Sequence, residues 1–152
     1  MVVHIERIKR LFPKEVCEKM LNIPKDYGTC HYNSFKALEF RYAYDIEYCE
    51  GYINGFMGHA FNKVTDKDGR VHYFDISQEY NKVHFHLKGG LKDVELIKEF
   101  DRHELFSTFA ADGEAHLISV PTIKGNATYA DEKKMFGAEL TSEIYNAVSV
   151  GF

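Results

Sequence analysis

Phe56-Met57-Gly58-His59-Ala60-Phe61-Asn62-Lys63-Val64-Thr65-Asp66-Lys67-Asp68-Gly69-Arg70-Val71-His72-Tyr73-Phe74-Asp75-Ile76 decides how this chain is built. Two runs rich in aromatic and β-branched residues flank a polar break, the pattern of paired strands. The break Asp66-Lys67-Asp68-Gly69 has Asp first and Gly last, which fits a type I turn closed by a glycine bulge. With Lys67-Asp68-Gly69 as the loop, Asp66 pairs with Arg70 and Asp75 faces Phe61. His59 is then the diagonal neighbour of Asp75 on the same face, about 7–8 Å away at the backbone. A five-residue loop would set His59 directly opposite Asp75. A tight Asp68-Gly69 turn would send the two to opposite faces, because a one-residue slip inverts a strand.

Ile46–Ile53 upstream alternates in the same way and extends the hairpin to an antiparallel meander. Further back, Gly28-Thr29-Cys30-His31-Tyr32-Asn33-Ser34 reads as a small-residue turn that delivers Cys30 to the first turn of a helix running to about Phe40. His4–Asn22 reads as helical from the spacing of Ile5, Ile8, Leu11 and Phe12 and then Val16, Met20 and Leu21. Pro13 interrupts it and Pro24 closes it. Beyond Gln78 the pattern blurs. Lys82–Leu87 suggests a strand, and Leu91–Phe100 a helix or an irregular segment. Leu105–Ala110 and Glu114–Val120 suggest a hairpin around Ala111-Asp112-Gly113, and Pro121–Asn126 a loop. Asp131–Asn146 suggests a terminal helix. The expectation is one α+β domain over residues 1–152, with N-terminal helices packed on an antiparallel sheet.

At 152 residues the chain is long enough for one domain with a core of its own. A net charge of −4, with one short basic cluster at Arg7-Ile8-Lys9-Arg10, argues against a nucleic-acid surface. Three cysteines without pair spacing (Cys17, Cys30 and Cys49) do not make a disulfide framework and fit a reducing, cytoplasmic setting. Met1–Arg7 has no apolar run long enough for a signal peptide or a membrane span.

The chemistry centres on Cys30. Free backbone N–H groups and the helix dipole at a helix start both favour thiolate over thiol. His59 is placed to hold that thiolate as an ion pair and to protonate a leaving group. Asp75 is placed to fix the imidazole tautomer and stabilise its charge. A tetrahedral oxyanion needs donors. The Cys30 N–H is one candidate, and Asn33, one turn along, is a candidate oxyanion or support residue. The plain structural alternative is a core cysteine, a packed histidine and an aspartate bracing a turn.

Cys30-His31-Tyr32-Asn33-Ser34, Tyr48-Cys49-Glu50-Gly51-Tyr52, His59-Ala60-Phe61 and Phe74-Asp75, in that order, resemble the small papain-like or transglutaminase-like cysteine enzymes of bacteria and phages. The resemblance covers about Gly28–Ser77, a third of the chain. It implies a cysteine opening a helix, a histidine on the following strand and an aspartate on the next. It also implies a thiol-dependent hydrolase or acyltransferase acting on a peptide, isopeptide or small amide bond, with no metal or organic cofactor. Two features depart from the pattern. Phe61 stands where tryptophan is common, and no glutamine lies shortly before Cys30 to serve as an oxyanion donor. A second reading is a non-catalytic, phage-type protein that uses the same scaffold to bind a host protein in the host cytoplasm.

The other polar residues have plainer readings. His84 and His86 share a strand face at metal-ligand spacing, but without a matched partner they read as a solvated face. His31 reads as helix surface and Cys49 as a small core residue. Glu50 reads as structural, and Asp101, His103 and Glu104 as a polar loop.

Overall fold

The computed structural model describes residues 1–23, 30–53, 55, 57–77 and 93–121. Among them five strands close into a barrel: β1 (Val2–Glu6), β2 (Asp45–Ile53), β3 (Met57–Thr65), β4 (Val71–Phe74) and β5 (Asp93–Phe100), in the order β1-β4-β3-β2-β5. Helices α1 (Ile8–Leu11), α2 (Lys14–Leu21), α3 (Cys30–Lys36) and α4 (Arg102–Asp112) accompany it, and a 3-10 turn, Ala37–Phe40, extends α3. The chain is therefore mixed α and β, as its patterning implies.

The meander has the expected register. Asn62 pairs with Phe74 and Thr65 with Val71. The Asp66 N–H donates to the Arg70 carbonyl at 2.9 Å, and Gly69 sits at φ +80 as the bulge requires. The Asp66 carboxylate secures the loop by accepting from the N–H groups of Asp68 and Arg70, each at 2.9 Å. β2 and β3 pair without interruption from Asp45↔Thr65 to Ile53↔Met57.

Four elements differ from the sequence reading. His4–Glu6 belongs to a strand, not a helix. Val3 and Ile5 are buried while Val2 and His4 are exposed, and this alternation outweighs the helical spacing that Ile5 shares with Ile8. The sheet is not purely antiparallel, because β1 runs parallel to β4 while pairing antiparallel with β5. Residues 93–100 form a strand, not a helix. Val94 and Phe100 are its only buried side chains, so its mostly polar composition resembles an exposed helix face. Finally, Leu105–Ala110 lies within α4, not in a hairpin. Asp101 caps α4 by accepting from the N–H groups of His103 and Glu104, and Gly113 ends it at φ +80. Asp101 and Glu104 stand at capping-box spacing, a helix-start signal in what read as polar loop. The suggested strand at 82–87, the histidines His84 and His86, the loop after Pro121 and the terminal helix at 131–146 lie outside the described residues.

The helices cover one face of the barrel. Phe12, Met20, Cys30, Leu38, Ile46, Tyr48, Ala60, Val64, Phe74, Phe100, Leu105 and Phe109 form a continuous buried cluster. Phe12 packs edge-on against Phe74 with ring centroids 5.0 Å apart, which fixes the N-terminal helices to β4. Asn62 donates from Nδ2 to the Ser34 carbonyl at 2.8 Å, which fixes α3 to β3. No helix among the described residues is long and apolar enough to cross a membrane.

Candidate active site

Cys30 is the first described residue of α3. The helix lies over β3, and the Ala60 N–H reaches the Cys30 sulfur. The imidazole of His59, the residue before Ala60, reaches the same sulfur. β4 ends at Phe74, and the next residue, Asp75, turns the chain. Its Oδ1 accepts from the Ser77 N–H at 2.9 Å and from the Ser77 hydroxyl at 2.6 Å. Its Oδ2 lies 2.6 Å from His59 Nε2. The hairpin register places His59 and Asp75 on one face, and the ring and the carboxylate meet there. With Nε2 committed to Asp75, Nδ1 is the ring nitrogen left for Cys30. It is buried and makes no hydrogen bond.

The electrostatics follow from this geometry. Burial alone would raise the Cys30 thiol. The charge of His59, with hydrogen bonds from His31, His59 and the Ala60 N–H, overcomes that and lowers it from 9.0 to about 6. Burial would likewise lower His59, but the charges of Asp75 and Cys30 and their hydrogen bonds raise it to about 10. Burial works against the Asp75 carboxylate, and His59 and Ser77 together hold it below its ordinary range. The three shifts favour thiolate, imidazolium and carboxylate together. The two other cysteines behave differently. Burial raises Cys17, and its thiol donates to the carbonyls of Ile8 and Phe12, each at 3.4 Å. Burial pushes Cys49, with no exposed surface, well above the ordinary thiol value.

Cys30 retains 5 % of its surface exposed, and His59 none. A carbonyl therefore approaches the sulfur along a restricted path. Asn33 is buried one helical turn from Cys30. Among the described residues no group of three or more His, Cys, Asp and Glu is placed to hold a metal ion.

Two residues matter more here than their sequence context suggests. His31, read as helix surface, places its ring against the Cys30 thiol. Its Nδ1 is buried without a hydrogen-bond partner. Its position beside the cysteine on the first helical turn was the only signal available. Glu50 is fully buried on β2. It accepts from the Tyr48 hydroxyl at 2.7 Å, from the Ile118 N–H at 2.9 Å, and from the Ser119 N–H and hydroxyl at 2.6 and 2.8 Å. These bonds tie the segment after α4 across β2. The same segment passes so close to β3 that a side chain at Gly58 would meet the Pro121 carbonyl oxygen at 2.0 Å.

Comparison with family models, curated proteins and solved structures finds no match to this chain.

Proposed function

We propose that this protein is a thiol-dependent hydrolase or acyltransferase of papain-like or transglutaminase-like type, acting on a peptide, isopeptide or small amide bond. The observation behind this reading is the convergence of Cys30, His59 and Asp75, with His59 bound to Asp75 at 2.6 Å and coupled to the Cys30 thiol. Scattered core residues would not give three charges of compensating sign. The Cys30 thiolate attacks the carbonyl carbon. The Cys30 N–H, with Asn33 as support, faces the developing oxyanion. As the C–N bond breaks, His59 gives its proton to the departing amine and leaves a thioester on Cys30. Water or a second amine then attacks the thioester. His59 takes the proton from that nucleophile and Cys30 departs as thiolate. Asp75 keeps the imidazole oriented throughout and stabilises its charge whenever it carries the proton. Water gives hydrolysis and an amine gives transfer, and no step calls on a cofactor.

Iodoacetamide tests the reading directly. At pH 7 Cys30 should alkylate far faster than Cys17 and Cys49, as read by peptide mass mapping, and His59→Ala should abolish that preference. Equal labelling of all three thiols would refute the proposal. The near-complete burial of Cys30 favours a second reading, a non-catalytic protein that binds a host protein on this scaffold. In that case Cys30→Ala would leave the biological effect intact.

A further inference from the structure

We propose that His31 is the second oxyanion donor of this site, the role for which the sequence offers no upstream glutamine. The inference rests on the Cys30–His59–Asp75 reading and extends it to a fourth residue that touches the reacting atoms.

Two imidazoles meet the Cys30 sulfur, and they differ in their other partners. His59 is bound to Asp75 at 2.6 Å, so its proton is committed to the ion pair and then to the leaving group. Among the described residues no carboxylate is bonded to His31. The residue is partly exposed, while its Nδ1 is buried without a hydrogen-bond partner. A buried polar atom left in that state costs roughly 1–3 kcal/mol, which is tolerable where a reaction intermediate supplies the missing partner. In the resting protein the His31 ring lies beside the sulfur and favours the thiolate.

The reaction itself supplies the partner. When sulfur bonds to the carbonyl carbon, its negative charge moves to the carbonyl oxygen, two bonds away. A donor that stands beside the sulfur without a partner is then beside the new charge. Together with the Cys30 N–H, His31 completes a pair of donors. The interaction strengthens at the transition state, as catalysis requires.

Two reagents separate this role from a general effect on the thiol. p-Nitrophenyl acetate acylates a thiolate through a tetrahedral oxyanion: the S–C bond forms, the oxyanion collapses and p-nitrophenolate leaves. Iodoacetamide alkylates by direct displacement of iodide, with no oxyanion. Both rates are measured at pH 8, where Cys30 is fully ionised. The proposal predicts that His31→Ala slows acylation on the order of 100-fold while alkylation stays within about twofold. His31→Gln, which keeps an N–H donor, should recover most of the loss. Thermal melting of both variants checks that they fold, and His31→Gln serves as the test if the alanine variant does not.

A parallel fall in both rates would overturn the proposal, because His31 would then act only on the thiolate. Unchanged acylation in His31→Ala would overturn it as well. If Cys30 in the unaltered protein resists both reagents, the triad reading fails and the inference falls with it. Selective, low-pH alkylation of Cys30 combined with acylation that ignores His31 would sink this inference alone.

Discussion

Cys30 is buried, yet its thiol ionises more easily than an exposed one, so its neighbours must supply more than burial removes. This gives a pH prediction with a definite sign. Alkylation of Cys30 needs thiolate, so its rate should rise through a midpoint at about 6 and level off above it. In His59→Ala the leading favourable contribution is gone and the midpoint should move up, toward the ordinary thiol value or beyond, as read by rate against pH. A midpoint unmoved by the substitution would show that the imidazole does not hold the thiolate. Asp75 gives the complementary stability prediction. Its folded pKa is depressed, so its contribution is present above the ordinary carboxylate value of 3.8 and fades as pH falls through the folded value. Asp75→Asn leaves the raised His59 without its counter-charge in a dry site. Denaturant melts at pH 7 should show a loss of about 3 kcal/mol. The gap should narrow as pH falls below the ordinary carboxylate value of 3.8 toward the depressed folded one, where the unaltered carboxyl also begins to bind a proton.

At the scale of elements, legibility depended on whether local signals agreed. The β3–β4 hairpin was readable because strand alternation and the Asp66-to-Gly69 turn chemistry require the same register, and that register brings His59 to Asp75. β1 was misread because Ile5 satisfies a strand period with Val3 and a helix period with Ile8, and long-range pairing decided between them. α4 was misread because Gly113 suits a hairpin tip as well as a helix stop. Only the cap at Asp101 distinguishes the two, and Asp101→Ala should cost about 1 kcal/mol in a thermal melt. Gly51 reports on the β2–β5 seam, where the register slips between Glu50 and Gly51. A Cβ there would lie 1.9 Å from the Glu95 carbonyl oxygen, which is backbone and cannot swing aside. Gly51→Ala should therefore part the two strands. Hydrogen exchange at Glu95 and Leu96 should accelerate well before that at β3 and β4, and uniform exchange would place the strain elsewhere.

At the scale of the molecule, the site depends on closure of the barrel, a property of long-range pairing that no local stretch encodes. β1 is the closing strand. It pairs with β5 through Val2↔Glu95 and Val3↔Val94, and with β4 through Ile5↔Tyr73 and Glu6↔Phe74. The residue after Phe74 is Asp75, so the carboxylate that charges His59 hangs from the strand end that β1 secures. Val3 and Ile5 are 6 % and 2 % exposed, and each such side chain contributes roughly 2 kcal/mol by burial. Removing residues 1–6 would forfeit that burial and leave β4 and β5 with unpaired edges, which invite association with other chains. The truncated protein should unfold without a sharp transition or self-associate in sedimentation. Its three thiols should also alkylate at similar rates, because Asp75 no longer holds His59 toward Cys30. A truncated chain that stayed monomeric and still labelled Cys30 first, with a midpoint near 6, would mean that the hairpin and α3 alone build the site. The barrel would then be a platform for other surfaces and not the frame of the chemistry.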